Sequence, residues 1–195
     1  MARKTVVLAS ASPRRRELLS VIFPEFEVCP STFDEACVPQ ELGPVDHVIY
    51  SAKRKAADVC HRYPEALVIA ADTIVVVEGQ ILGKPVDQED ACRMLHRLSA
   101  KTHQVYTGLA IADKGHIQTA YECTDVTFRE LSDELIRRYV ATGEPMDKAG
   151  AYAIQGKASI FVTGIRGCFF NVVGLPVSRL SLLLEELGYE PIMNG

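Results

Sequence analysis

The chain has 195 residues, of which 48% are hydrophobic and 24% charged, and a formal net charge of -4. That length can hold one substantial core or two small lobes sharing it, and the acidic balance argues against a general nucleic-acid binder, while a local basic cluster within an acidic chain suits a small anionic ligand. No apolar run approaches the ~20 residues of a membrane span, and the N-terminal Met-Ala-Arg-Lys-Thr enters a strand at once, as expected without a signal peptide.

A first strand is expected at 5–9 and a helix at 13–22, closed by Pro24. Ser12 is a good N-cap and Pro13 suits the first helical position. The next three residues are Arg14, Arg15 and Arg16. A helix N-terminus carries the positive end of the dipole, so each cation there costs roughly 0.3–1 kcal/mol. A bound polyanion would offset that cost, since free backbone N–H groups and guanidinium forks would all point at it. One such Arg would read as a solvated basic turn. Three in a row fan around the helix at about 100° per residue, so at least one faces the strand end.

A short extended stretch follows at 26–29, then a loop at 30–43 that contains Asp34 and Glu35. On position alone this acidic pair reads as solvated loop charge. The apolar residues Val45, Val48, Ile49, Ala52, Ala56, Val59 and Cys60 predict an amphipathic helix over 45–61, with Lys53 and Lys55 flanking the stripe. Leu67–Val77 is nearly all apolar and predicts a strand buried on both faces. Glu78-Gly79-Gln80 turns the chain into Ile81-Leu82-Gly83-Lys84-Pro85, and Asp87 caps a helix whose inner face is Ala91, Met94, Leu95 and Leu98. Strands at 104–112 and 116–128 flank the turn Asp113-Lys114-Gly115, and Ser132 caps a helix that stops at Gly143. The Gly-rich stretch 144–171 reads as irregular, with short strands near 151–154, 159–163 and 168–171. A last helix runs from near Pro176 through Leu187. Helices and strands alternate and some adjacent strands form hairpins, which predicts an α/β protein with a mixed sheet.

Asp72 stands alone inside the apolar strand. A carboxylate there is expensive unless it is paired, hydrogen-bonded or bound to metal. The plain alternative is an Asp satisfied by backbone N–H groups or an Arg; beside phosphates it would hold a divalent cation or orient a water. Lys55 and Lys84 are surface-like by composition, although Gly83-Lys84-Pro85 holds Lys84 at a rigid corner from which it could reach a phosphate. In Asp147-Lys148-Ala149-Gly150-Ala151-Tyr152-Ala153-Ile154-Gln155-Gly156, small residues would let a flat ligand approach, and Gln155 offers both a donor and an acceptor to a base edge. Taken alone, the segment reads as a tight turn with a core Tyr. The six cysteines have no zinc-ligand spacing and read as small core hydrophobes in a reducing compartment; His47, His61 and His96 read as surface positions on helices. Neither a G-x-x-x-x-G-K-[ST] loop nor a G-x-G-x-x-G fingerprint is present, which disfavours P-loop and Rossmann enzymes. The residues themselves lead to phosphoryl or phosphoanhydride chemistry with a metal, and leave the ligand open.

At these positions the chain resembles the Maf family of nucleoside triphosphate pyrophosphatases. The resemblance runs through Ser10-x-Ser12-Pro13-Arg14-Arg15, Asp34-Glu35, Lys55, Ala71-Asp72-Thr73, Gly83-Lys84-Pro85, His103-Gln104-Val105, Asp147 to Tyr152, Gln155-Gly156 and Val173-Gly174-Leu175-Pro176. It implies a single domain over 1–195 with the Maf/Ham1-like, or ITPase-like, α/β fold: a mixed sheet with flanking helices and two lobes around a cleft. The implied reaction is attack of water on the α-phosphate of a nucleoside triphosphate, yielding the monophosphate and pyrophosphate. It also implies a divalent metal, Mg²⁺ or alternatively Mn²⁺, held by Asp72 and Glu35. Asp72 would accept the proton, with Lys84 completing the catalytic set, and Ser10, Arg14, Arg15, Lys55 and Lys84 would hold phosphates. A cytoplasmic, house-cleaning homodimer is implied as well, with neither nucleic acid nor membrane as partner.

Within that resemblance, Arg14 after Pro13, Thr73 after Asp72 and Gln155 before Gly156 are similar to the branch acting on dTTP and UTP. The branch acting on 7-methyl-GTP tends to carry Trp, Gln and Glu at those places. A neutral Gln suits the edge of thymine or uracil. The alternatives are a Maf enzyme with another base preference, for 7-methyl-GTP or modified pyrimidine nucleotides, and a nucleotide-binding regulator of septum formation.

Overall fold

The computed structural model describes residues 4–190. They form a seven-stranded mixed sheet in which β2-β1-β3-β5-β6-β7 lie in that order and β4 pairs with β3. The strands are β1 (Val6–Leu8), β2 (Glu27–Val28), β3 (Leu67–Val77), β4 (Gln80–Leu82), β5 (Thr102–Asp113), β6 (His116–Phe128) and β7 (Val162–Arg166). The helices are α1 (Pro13–Ser20), α2 (Pro44–Arg62), α3 (Gln88–Leu98), α4 (Asp133–Val140), α5 (Phe169–Val173) and α6 (Val177–Glu186). The backbone groups into two compact units. Of the described residues, the first holds 4–72, Thr107–Glu122 and 174–190; the second holds Thr73–Tyr106 and Cys123–Val173.

In the first unit β1 runs parallel to both β2 and β3, in register Val6 with Leu67 and Leu8 with Ile69. Every residue of β1 is buried, which is why the strand is apolar without alternation. Its chain then leaves through Ser10 into α1, where Ser12 accepts from the Arg15 N–H at 3.4 Å. The core beneath α2 is built from small residues: Ala52 and Ala56 on the helix meet Ala70, Ala110 and Ala112 on the sheet. Short side chains draw the helix close. Gly108 on β5 is the extreme case, since a Cβ there would lie 2.3 Å from the Val48 carbonyl oxygen. The β5–β6 turn is the expected one, with Lys114 at φ 48° and Gly115 at φ 81°, the paired positive values of a tight hairpin.

In the second unit β4 folds back antiparallel on the end of β3, pairing Val75 with Leu82, and β7 lies antiparallel to β6. α3 begins where Asp87 accepts from the Asp90 N–H at 2.7 Å. The stretch 144–171 departs most from expectation. Its first part is three short 3-10 helices, Glu144–Asp147, Ala149–Ala151 and Lys157–Phe161. A strand at 151–154 is prevented by two successive left-handed residues, Gly150 at φ 66° and Ala151 at φ 58°. The strand expected near 159–163 is 162–166 instead, because Phe161 turns inward and packs on Phe128 and Tyr139. Residues 169–173 are helical despite a strand-like run of Phe and Val. Buried Asn171 accounts for this, donating to the Val105 carbonyl and the Thr124 hydroxyl, each at 2.9 Å. The cysteines are free thiols; Cys29 and Cys60, half-buried, pack against the core beneath α2, Cys92, Cys123 and Cys168 are half-buried, and Cys37 departs from expectation in being exposed.

Candidate functional site

In the first unit, the turn after β1 and the middle of β3 are neighbours because the two strands are parallel; the ladder continues with the Ala9 N–H donating to the Ile69 carbonyl at 2.8 Å. Ser10, only 8% exposed, therefore sits beside Ala71 and Asp72. Arg15 reaches the same place from the first turn of α1. Its Nε donates to the Gly174 carbonyl at 2.9 Å, and one Nη donates to the Ala71 carbonyl at 2.9 Å and to Ser10 Oγ at 3.3 Å. Burial pulls the Arg15 guanidinium below its ordinary pKa, while the carboxylates of Asp72 and Glu35 oppose the shift. One of the three arginines is thus explained by the fold: it ties together α1, β3 and the start of the C-terminal segment. Arg14, half-exposed, and Arg16, exposed, make no side-chain hydrogen bond among the described residues, so the fold leaves both cations for other partners.

Asp72 is 6% exposed and Lys55 7%, which corrects the expectation that Lys55 lies on the surface. Lys55 Nζ donates to Asp72 Oδ1 at 2.6 Å and to Glu35 Oε1 at 2.6 Å. The buried carboxylate takes its hydrogen bond from a lysine, with the Arg15 charge nearby. A signal for this was present: Ser51, Lys55 and Val59 follow one another at helical spacing, and all three are buried. Glu35 is brought in by its loop. Asp34 caps the short 3-10 turn that starts at Glu35, accepting from the Ala36 N–H at 2.9 Å. Upstream, Ser31 Oγ and the Thr32 N–H both donate to Asp58 at 2.8 Å, and Asp58 lies three residues beyond Lys55 on α2. The helix that carries the lysine therefore also anchors the loop that carries its second carboxylate. Burial would raise the Asp58 pKa, but the Thr32 and Ser31 hydrogen bonds, with Arg62 nearby, hold it below the usual carboxylate range.

Whether these residues suit a divalent cation can be judged from Lys55. Its ammonium shows that Asp72 and Glu35 converge on a single cation. Among the described residues no cluster of three His, Cys, Asp or Glu exists that could hold a metal alone. Two hard carboxylates without further protein donors suit Mg²⁺, which keeps waters and takes its remaining oxygens from substrate phosphates. The donor set fits.

The remaining candidates, Thr73, Lys84 and Gln155, belong to the second unit. Thr73 is half-buried on β3, next in sequence to Asp72. Lys84 is exposed, beside a Gly83 carbonyl that accepts from the Gly150 N–H at 3.0 Å. Gln155 is exposed on a turn closed by the Gly156 N–H donating to the Ala153 carbonyl at 2.9 Å. Tyr152 just before it is a core residue, 6% exposed. Composition did not single out its partner, His103, whose Nε2 is 2.9 Å from the Tyr152 hydroxyl and whose ring meets Phe128 edge-on at 4.8 Å. Burial lowers the His103 pKa to about 4 and raises that of Tyr152, so both are neutral at pH 7.

Comparison with known proteins follows the same residues. A family model described as Maf-like protein matches residues 5–187. A dTTP/UTP pyrophosphatase of Pelotomaculum thermopropionicum is 50% identical over 188 residues, covering 95% of this chain and 98% of its own length. A dTTP/UTP pyrophosphatase of Thermococcus kodakarensis is 49% identical over 186 residues, covering 95% and 97%. Among solved structures, the Ham1 protein of Staphylococcus aureus aligns with a TM-score of 0.53 at 17% identity, over 94% of this chain and all of that one; the likeness is one of fold, the mixed sheet with flanking helices expected from the sequence. Among the described residues no helix is long and apolar enough to cross a membrane.

Proposed function

The chain belongs to the Maf-like family, and on that premise we propose that it is a nucleoside triphosphate pyrophosphatase acting on dTTP and UTP. Water attacks the α-phosphorus, the bond to the bridging α–β oxygen breaks, and the products are the nucleoside monophosphate and pyrophosphate. The observation that carries the reading is the Lys55 ammonium shared by Asp72 and Glu35 at 2.6 Å each. It pairs with a buried carboxylate whose second oxygen, Oδ2, makes no hydrogen bond among the described residues. On this reading that oxygen takes the proton from water. Lys55 keeps Asp72 oriented and its charge compensated, and Arg14 with the first turn of α1 offers charge and N–H groups to the phosphates.

A divalent cation, Mg²⁺ or Mn²⁺, held between Asp72 and Glu35 would supply charge stabilisation for the phosphates and lower the pKa of water. Lys84 is assigned to the phosphates or the departing pyrophosphate on its motif. Gln155 and Thr73 are assigned to the base: thymine and uracil present two carbonyls around one N3–H, and Gln155 can match part of that edge. The test is pyrophosphate release from dTTP, UTP, CTP, purine triphosphates and 7-methyl-GTP, with and without Mg²⁺. Turnover led by dTTP and UTP and dependent on the metal is expected. Preference for 7-methyl-GTP would overturn the base assignment, and release of orthophosphate alone would overturn the reaction.

A further inference from the structure

The turn that presents Gln155 is held at both flanks by one device. The Tyr139 hydroxyl, on a residue only 4% exposed, accepts from the Ala153 N–H at 3.3 Å and donates to Glu144 Oε1 at 3.0 Å. The other carboxylate oxygen, Glu144 Oε2, accepts from the Lys157 N–H at 3.1 Å. Ala153 opens the turn and Lys157 follows it, so both backbone ends are tied to the last residues of α4 and the segment just after. Gly156 reports the same arrangement. Its φ of -98° is open to any residue, but a Cβ there would stand 2.4 Å from Glu144 Oε1. The Glu144 carboxylate therefore fills the space that a side chain at 156 would take, and a Cβ there would have to displace it. Burial first, and the Glu144 carboxylate next, raise the Tyr139 pKa, which keeps the hydroxyl protonated and able to donate.

We propose that Glu144, braced by Tyr139, is a positioning residue for base selectivity: it fixes the 153–156 turn so that Gln155 meets one hydrogen-bond pattern. The proposal rests on the reading of Gln155 as the group that meets the base. An exposed Gln on an untethered turn would adapt its amide to cytosine as well as to thymine, and discrimination by an unpaired polar group needs a site that cannot adapt.

The experiment is a double-mutant cycle on the full chain. The ratio of kcat/KM for dTTP to that for CTP is measured for wild type, Gln155→Ala, Glu144→Ala and the double variant, with thermal unfolding alongside. Gln155→Ala is expected to lower the ratio about tenfold. Glu144→Ala should lower it by a similar factor through KM, with kcat on dTTP within about threefold of wild type, and the double variant should fall no further than Gln155→Ala. Glu144→Gln keeps one of the two acceptor bonds and should lie between. Equal loss on both nucleotides in Glu144→Ala, or additive loss in the double variant, overturns the proposal. If Gln155→Ala moves the ratio and Glu144→Ala does not, the proposal fails and the Gln155 reading stands. If Gln155→Ala leaves the ratio unmoved, both fail. Should Glu144→Ala not fold, Tyr139→Phe, which removes one hydroxyl, and Gly156→Ala, which displaces the carboxylate, are expected to lower the ratio several-fold; an unchanged ratio in both overturns the proposal.

Discussion

The two units are built around opposite kinds of polar cluster. In the first, Arg15, Lys55 and Asp72 bring buried charges to the ends and middle of buried strands, and Glu35 joins them from an exposed loop. In the second, His103 and Tyr152 form a neutral hydrogen bond inside a ring of aromatic side chains, with Phe128 4.9 Å from Tyr152. Buried charges are expensive, and their presence in one unit marks where charge must be handled. A neutral cluster handles no charge; it fixes shape. The contrast sets a cluster that balances charge against one that carries none, and substitutions in each should fail in different ways.

The largest effect is expected at Asp72. Asp72→Asn keeps the shape and leaves Lys55 its bond to Glu35, so the protein should fold. Without the proton acceptor, kcat should fall by about a thousandfold. Near-normal turnover in a folded variant would remove Asp72 from the reaction and reduce the charged cluster to scaffolding. Lys55→Ala should fail differently. It leaves Asp72 buried without its hydrogen-bonded cation, a loss of about 3–5 kcal/mol in urea unfolding at pH 7. A loss below ~1 kcal/mol would show that water reaches Asp72 freely and that the cluster is not truly buried.

The neutral region should show itself through pH. His103 in the folded protein takes a proton only near pH 4, whereas the unfolded chain takes it near the ordinary value of 6.5. Between those values the unfolded state binds more protons, so stability rises with pH across the window. The contribution is complete above about pH 6.5 and lost as the pH falls toward 4. Its full size is at most on the order of 3 kcal/mol. His103→Gln should flatten that acid slope of the unfolding free energy between pH 7 and pH 4.5. An unchanged slope would mean that other groups carry the acid sensitivity and that the neutral pair is not what distinguishes the second unit.

How much of this was legible in the sequence depended on how far each signal reached. β3 and α2 were clear because their evidence is local: an eleven-residue run that is apolar but for Asp72 and Thr73, or a stripe at helical period. Asp72 was conspicuous for the same reason, as one acid among apolar neighbours. Lys55 was not, because the partners that bury it come from Glu35 and Asp72, which no window around Lys55 contains. The brace on Gln155 was hidden likewise, since Tyr139, Glu144 and Lys157 meet only through the fold. The 144–171 stretch defeated propensity because its course is set by left-handed residues and by single buried contacts, as at Asn171.

The smallest predicted effect tests the finest division within the charged region, between adjacent arginines. The sequence alone treats Arg14 and Arg15 alike: two cations at the positive end of a helix, whose removal should leave stability equal or slightly higher. The structure separates them. Arg15→Ala removes the donor to the Gly174 and Ala71 carbonyls, and leaving such buried acceptors unpaired costs about 1–3 kcal/mol. That outweighs the roughly 0.3–1 kcal/mol gained by taking a cation from the first turn. Arg14→Ala loses no hydrogen bond and keeps the dipole gain, so its stability should hold or rise by a few tenths of a kcal/mol while KM for the triphosphate increases. Thermal unfolding and KM measured together separate the two roles. Equal losses of stability would mean that Arg14 is a brace as well, and an unchanged KM in Arg14→Ala would leave the arginine turn without a ligand.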